Sequence, residues 1–307
     1  MEYINCILCN KDNTETILTV KDFRYKTSDE TFTIVRCRKC KLVYLNPRPS
    51  KDTISKYYPD NYRTRKMLKT ELIESKIKTF RTKRKALFFK HPWYLEFPAG
   101  TNVIDIGCGS GELLLRLKEL SCNAYGIDID DTTSKFLREV MSLNVTTWDI
   151  DDGIPFPDDF FDVIIMRHSL EHIYNPVHVL HEIRRALKPD GLLLIGVPNI
   201  DSFVSKITGI YWGDLDVPRH LFHFSPSTIS TLLNEAGFSI EKFHHEMRAR
   251  RISIERRIAA IPLPTFRIPK PFMNIMGKIL ALLRKGERIV VLARKTSNHR
   301  NKNNSIR

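Results

Sequence analysis

An α/β domain fronted by a small cysteine-rich module is the fold class this sequence predicts, on three observations. Two Cys-x-x-Cys pairs, Cys6/Cys9 and Cys37/Cys40, stand near the start of the 307-residue chain. An apolar stretch, Val103–Ile106, runs into three closely spaced glycines and then a segment with apolar residues at 113, 114, 117 and 120. Two more short apolar runs follow, one ending in Asp128 and one at Met166. A strand, a glycine turn and an amphipathic helix open a nucleotide-binding α/β unit.

Composition sets the outer limits. Hydrophobic residues make up 42% and charged residues 27%, which is globular and excludes a disordered or fibrous chain. No apolar run approaches the roughly 18 to 20 residues that cross a bilayer. The opening Met-Glu-Tyr-Ile-Asn-Cys lacks the regions of a signal peptide, so a cytoplasmic protein is expected. The net charge of +14 suggests nucleic acid until it is divided along the chain. Residues 63–90 hold 11 Lys+Arg against 2 Asp+Glu, and residues 248–307 hold 16 against 2. Residues 91–247 hold 11 against 23, so the middle is acidic between basic flanks.

The front module is assigned to residues 1–62. Two Cys-x-x-Cys pairs in a reducing compartment suggest a tetrahedral four-cysteine zinc site of structural type, with Cys6, Cys9, Cys37 and Cys40 as ligands. Thr31–Arg36 alternates enough to be a strand between the two knuckles. No βαβ pattern accompanies the pairs, which argues against a redox role. Cys108 and Cys122 read as packing residues. Residues 63–98 read as a basic helical connector, with Leu68, Leu72, Ile77 and Leu87 on one face.

The glycine turn distinguishes between ligands. A dinucleotide fingerprint would place its third glycine at 112, where the chain has Glu112. The spacing is G-x-G-x-G, with Asp105 at the end of the strand before it. A helix start carrying an added acid suits a pyrophosphate poorly and a zwitterionic amino-acid ligand better, which favours S-adenosylmethionine. Asp128 ends the next strand, where a carboxylate can take both ribose hydroxyls. Asp149 could reach the adenine side, as could Asp151 or Asp152.

Asp-Ile-Gly-Cys-Gly-Ser-Gly, Gly-Ile-Asp-Ile-Asp and Ile-Pro-Phe-Pro-Asp-Asp-Phe-Phe-Asp-Val-Ile-Ile together resemble a class I S-adenosylmethionine-dependent methyltransferase. Leu-Glu-His-Ile, Leu-Lys-Pro-Asp-Gly-Leu-Leu-Leu-Ile-Gly-Val-Pro-Asn and Asp-Val-Pro-Arg-His-Leu-Phe-His-Phe-Ser-Pro continue the likeness. They point to the subgroup related to ubiquinone-type O-methyltransferases and to enzymes of glycan and natural-product clusters, whose members often carry an N-terminal zinc ribbon. The resemblance covers about 1–245 and 286–295. It implies a Rossmann-like, seven-stranded, mostly parallel sheet in a methyltransferase domain spanning 99–295. It further implies that Asp105, Gly107, Cys108, Gly109 and Gly111 line the methionine part of the cofactor. Asp128 and Ile129 would serve the ribose, and Asp149 and Ile150 would flank the adenine.

Methyl transfer to a hydroxyl needs a base near the acceptor. His168, Glu171 and His172 fall at i, i+3 and i+4, on one face if helical. In ubiquinone-type relatives an acid–x–x–Glu–His set here is associated with a divalent metal, but His168 replaces the first acid. The second cluster is Asp216–Pro226. His220 is expected to be the general base and His168 the second candidate. Arg219 and His223 are expected at the substrate, and Tyr57 and Tyr58, with Tyr62, as a lid. Ser225 before Pro226 reads as a helix entry.

Phe238–His245 and Glu287–Lys295 read as antiparallel strands. Between them lies a basic amphipathic insertion, 248–286, suited either to an anionic membrane surface or to capping the core. Residues 296–307 read as a disordered tail. The expected activity is O-methylation of a small molecule or glycan, lipid-linked acceptors included. The alternative is an RNA methyltransferase gripping phosphate with the basic flanks, although the acidic middle makes nucleic acid the weaker partner. A nicotinamide oxidoreductase and a non-catalytic binding module rank lower.

Overall fold

A computed structural model describes residues 1–59, 62, 96–246, 279–280 and 282–296. Most of the basic connector, most of the insertion and nearly all of the tail lie outside the described residues. The chain divides into two compact units. One comprises Met1–Tyr57, Gly196–Ile229 and Phe243–Val290, and the other Tyr58–Ile195, Ser230–Lys242 and Val291–Arg307.

Eleven strands are described: β1 (Thr14–Lys21), β2 (Thr31–Cys37), β3 (Val43–Leu45), β4 (Asn102–Ile106), β5 (Asn123–Asp128), β6 (Asn144–Thr147), β7 (Phe161–Arg167), β8 (Leu187–Pro198), β9 (Phe222–His223), β10 (Phe238–Glu246) and β11 (Arg288–Lys295). The helices are α1 (Glu112–Glu119), α2 (Asp131–Glu139), α3 (Pro176–Ala186), α4 (Phe203–Thr208) and α5 (Pro226–Glu235).

The first unit holds a four-stranded antiparallel sheet of order β1-β2-β3-β9. In β2, Phe32 and Ile34 alternate with the more exposed Thr31 and Thr33, and Val35 and Cys37 are buried as well. Phe32, Ile34, Tyr44, Leu45, Tyr57 and Phe222 are at most 1% exposed and form its core. The sheet corrects the expected module boundary. Its fourth strand is β9, in register with β3 through Val43↔His223 and Tyr44↔Phe222, so the front module is not closed by residue 62. A three-stranded ribbon would leave the β3 edge unpaired, and β9 covers it.

The other sheet has seven strands in the order β10-β11-β8-β7-β4-β5-β6. β4 pairs in parallel with β5 and with β7, and β5 in parallel with β6. The chain runs outward from β4 to β6, then restarts on the other side at β7. The strand order therefore reverses at β4, and in such sheets ligands bind beyond the carboxyl end of that strand. β4 is buried on both faces, as parallel strands are. α1 buries Leu113, Leu114 and Leu117, and α3 buries Val179, Leu180, Ile183 and Ala186. Asn175 caps α3, with Pro176 at its first position. Tyr125, Phe156, Phe160 and Phe161 pack ring to ring at 4.9–5.6 Å. No helix among the described residues is long and apolar enough to cross a membrane.

Candidate cofactor site and cysteine cluster

At the end of β4 the chain enters the turn Gly107-Cys-Gly-Ser-Gly111. Gly107 has φ +73° and Gly111 φ +70°, the left-handed region that side chains rarely adopt. Space excludes a side chain as well. A Cβ on Gly107 would stand 2.7 Å from Ser169 Cβ, and one on Gly111 would stand 2.7 Å from Leu137 Cδ2. The N–H groups of Gly107 and Cys108 donate to Ile127 O and that of Gly111 to Cys108 O, whereas that of Gly109 donates to Asp128 Oδ2 at 2.8 Å. The Asp130 N–H donates to Asp128 Oδ1 at 3.0 Å. Burial pushes the Asp128 carboxyl above its usual range against these two donors.

Asp105 is only 1% exposed. Neither carboxylate oxygen has a hydrogen-bond partner among the described residues. Burial pushes this group up to about 7, the charge of Arg167 pulls the other way, and Asp128 adds to the rise. An unpartnered buried carboxylate is costly and calls for a cation or donor. The cationic end of S-adenosylmethionine is such a group, so the chemistry of these residues fits the expected cofactor. The Cys108 thiol is held far above its usual range by burial and by Asp128 and Asp105, so it stays a neutral wall.

On the far side of Asp128, Ile129 is 69% and Trp148 38% exposed. The Trp148 N–H donates to Asp128 O at 3.1 Å and its Nε1 to Gly153 O at 3.0 Å, so the ring is fixed although it faces outward. Sequence reasoning missed Trp148, whose signal was a large aromatic immediately before Asp149. Of the three acids in question, Asp151 commits its two oxygens to Tyr174 N and Asn175 N. Asp149 caps the short turn Ile150–Asp152, and Asp152 is exposed.

His168, Glu171 and His172 do not lie on one continuous helix. His168 takes φ +58° and a single 3-10 turn covers Leu170–His172. His168 Nδ1 meets Glu171 Oε1 at 3.2 Å, with Glu171 fully buried. His172 Nδ1 meets Tyr58 OH at 3.1 Å, and Tyr58 packs edge-on against Tyr62 at 4.9 Å.

The 216–226 cluster belongs to the first unit. Arg219 is wholly buried. Its Nε and Nη2 donate to Asp216 at 3.0 and 2.9 Å, and its Nη1 and Nη2 to Asp22 at 2.9 and 2.7 Å. It also donates to Tyr57 O and Val217 O. Such a saturated guanidinium is a structural tie, which replaces the expected substrate contact. Burial alone would raise Asp22, but Arg219, the Tyr25 N–H and the Thr27 hydroxyl bring it to about 2. His223 is likewise corrected: it is 2% exposed inside the sheet, and burial lowers it to about 4. Tyr57, 1% exposed, packs on Phe32 and donates its hydroxyl to Glu30, so it is no lid. His220 is buried with Nδ1 2.8 Å from Asp214 O. A carbonyl only accepts, so Nδ1 carries the proton and Nε2, 3.8 Å from Asp216 Oδ2, is the basic nitrogen.

The four expected cysteines do converge. Sγ of Cys6 lies 3.2 Å from that of Cys40, and Sγ of Cys9 lies 3.5 Å from that of Cys37, all four within 4.8 Å. Each Cys-x-x-Cys pair sits on a knuckle of the same kind. The N–H of Asn10 returns to Cys6 O and that of Lys41 to Cys37 O, and both Asn10 and Lys41 have positive φ. Burial pushes the Cys6 thiol up. At Cys37 burial acts the same way, but the backbone N–H groups of Cys40 and Lys39, together with the thiols of Cys9 and Cys40, bring it to about 7. Thiolates around one zinc ion at ~2.3 Å stand ~3.7 Å apart, and this cluster has that size.

A sequence profile described as a methyltransferase domain matches residues 74–242. A Mycolicibacterium smegmatis protein named "Probable S-adenosylmethionine-dependent methyltransferase" is 28% identical over 150 residues, covering 47% of this chain and 54% of that one. The ubiquinone biosynthesis O-methyltransferase of Maricaulis maris is 29% identical over 152 residues, covering 46% and 60%. The matches thus span little more than half the length of these relatives. Among solved structures, a chain of the complex between the Haloferax volcanii Trm112 methyltransferase activator and a methyltransferase aligns with a TM-score of 0.53 at 17% identity. It covers 76% of this chain and 98% of that one, a likeness of fold.

Proposed function

The chain belongs to the methyltransferase family, and from that premise we propose that it transfers a methyl group from S-adenosylmethionine to a hydroxyl of a small molecule or glycan. Asp105 carries the reading: a buried carboxylate without a partner, beneath a glycine turn, at the reversal point of a parallel sheet. When bound, S-adenosylmethionine supplies an electrophilic methyl group on a sulfonium. Asp105 would face its cationic end, Gly107–Gly111 would lie along the methionine portion, and Asp128 would accept from the ribose hydroxyls. Trp148 and Ile150 would flank the adenine beside Asp149.

The acceptor's proton goes to an imidazole. His220 is first for that role, because its Nδ1–H is fixed on Asp214 O and leaves Nε2 to take a proton. His168, held by Glu171, is second. The closed four-cysteine cluster offers no open ligand position, so the zinc we assign to it is structural.

Transfer of labelled methyl from S-adenosylmethionine into a cell extract, fractionated into lipid, glycan, small-molecule, protein and RNA pools, tests the reading. Label in a glycan or small-molecule pool that vanishes with Asp128→Ala is the expected result. Label in RNA overturns it and makes the basic flanks the substrate grip.

A further inference from the structure

Apart from Met1 and Tyr3, the large apolar side chains that the described residues of the first unit expose lie on α4, at Phe23 and Tyr211, and in the turn at 279–283. On α4, Phe203 is 42% and Ile207 61% exposed, one turn apart on the same face. Tyr211 follows at 38%, and the ring of Phe23, 47% exposed, lies 5.4 Å from it. The Phe203 N–H donates to Lys285 O at 3.1 Å, which brings in the turn carrying Leu282, 83% exposed, and Leu283, 63% exposed. Three aromatic rings and three large aliphatic side chains thus share one region of this unit. A soluble surface rarely gathers them so. Phe23 and Tyr211 also wall a cavity of about 310 Å³, together with Val20, Ile210 and Trp212.

The charges beside this face are basic. Lys206 and Arg284 are exposed and Lys285 is half-buried, with Asp201 as the acid 3.6 Å from Lys206. In sequence, the stretch that carries the Leu282 turn is basic, since residues 248–307 hold 16 Lys+Arg against 2 Asp+Glu. A second copy of the chain would bring like charge against like. A bilayer with anionic headgroups complements the basic rim and takes up the apolar side chains. We propose that the face formed by Phe23, Phe203, Ile207, Tyr211, Leu282 and Leu283 docks the first unit onto an anionic membrane surface. The inference stands independently of the reaction proposed above.

The test is co-sedimentation of the full chain with vesicles of phosphatidylcholine alone and of phosphatidylcholine mixed with phosphatidylglycerol. Two double variants are compared with the parent: Phe203→Ser with Ile207→Ser, and Leu282→Ser with Leu283→Ser. S-adenosylmethionine binding by calorimetry serves as the check of folding. Binding to the anionic vesicles and weak binding to the neutral ones is expected. So is a loss of about tenfold or more in at least one double variant that keeps its cofactor binding. Unchanged vesicle binding in both variants overturns the proposal, because charge alone then holds the chain to the lipid. Loss of a dimer in size-exclusion chromatography, with vesicle binding unchanged, also overturns it and gives the face to a second copy. Vesicle-free methyl transfer, read separately, keeps a failure here distinct from a failure of the proposed reaction.

Discussion

Two carboxylates, one in each unit, are buried to almost the same degree and have opposite chemistry. Asp22 is 3% exposed and Asp105 1%. Asp22 receives Arg219, three backbone N–H groups and the Thr27 hydroxyl at short range, and sits at about 2. Asp105 has no hydrogen-bond partner among the described residues and sits at about 7. Burial raises both, so donors make the difference. A carboxylate whose partners come from the chain itself is part of the fold. One that the chain leaves unsatisfied costs stability until something else supplies the donor, and such a position is where a ligand is expected.

Breaking the saturated network gives the largest effect. Arg219→Ala would leave Asp22 and Asp216 buried together without their shared cation, and the first unit is expected to lose ~3–5 kcal/mol in chemical denaturation. Retention of wild-type stability would mean that the guanidinium is not the tie described here.

Asp105→Asn separates the two carboxylates next. Removing the charge should weaken S-adenosylmethionine binding by about a hundredfold, roughly the worth of a charge-assisted contact. At the same time the ligand-free protein at pH 8 should become more stable, by roughly 1–2 kcal/mol. Calorimetry and thermal unfolding on the same sample check both halves. A variant that lost stability along with affinity would make Asp105 a structural group after all.

The pH dependences have opposite signs. The carboxyl of Asp105 is raised from 3.8 to about 7, so the folded state holds its proton longer than the unfolded chain does. Its contribution therefore falls as pH rises from about 4 to 7 and is flat above. Cofactor affinity should run the other way, weakening by up to about tenfold per pH unit below 7 because the bound cation needs the ionised form. Asp22 is depressed from 3.8 to about 2, so its stabilisation is complete above pH 3.8 and is lost as pH falls through 2. Affinity measured between pH 5 and 8, beside unfolding between pH 2 and 8, resolves the two.

The glycine turn was legible in the sequence and the arginine network was not. Gly107 and Gly111 announce themselves because their backbone conformation excludes other residues, and that demand is local to a few positions. The same holds for the two cysteine knuckles. Arg219 looked like a substrate contact because its partner, Asp22, stands 197 positions away. Nothing in the loop around it tells a saturated guanidinium from an exposed one. β9 was hidden for a similar reason: two residues that read as part of a polar loop complete a sheet begun near residue 14. His168 departs from helical spacing through a left-handed backbone that its identity alone does not announce.

His223 tests how far the rule about unsatisfied groups extends. Its Nε2 is buried without a hydrogen-bond partner, as the oxygens of Asp105 are. On that likeness alone it too would be reserved for a ligand. The difference is charge. Burial lowers His223 to about 4, so it is neutral at working pH, and a neutral orphan costs far less than an ionised one. It also lies in β9, with its backbone in register with Val43, where packing accounts for its place. His223→Leu removes the orphan nitrogen at similar volume and should change stability by no more than about 1 kcal/mol, with gain as acceptable as loss. Methyl transfer should keep its KM for the acceptor. A KM raised tenfold at unchanged stability would return His223 to the substrate, and burial without a partner would then mark neutral ligand contacts as well as charged ones.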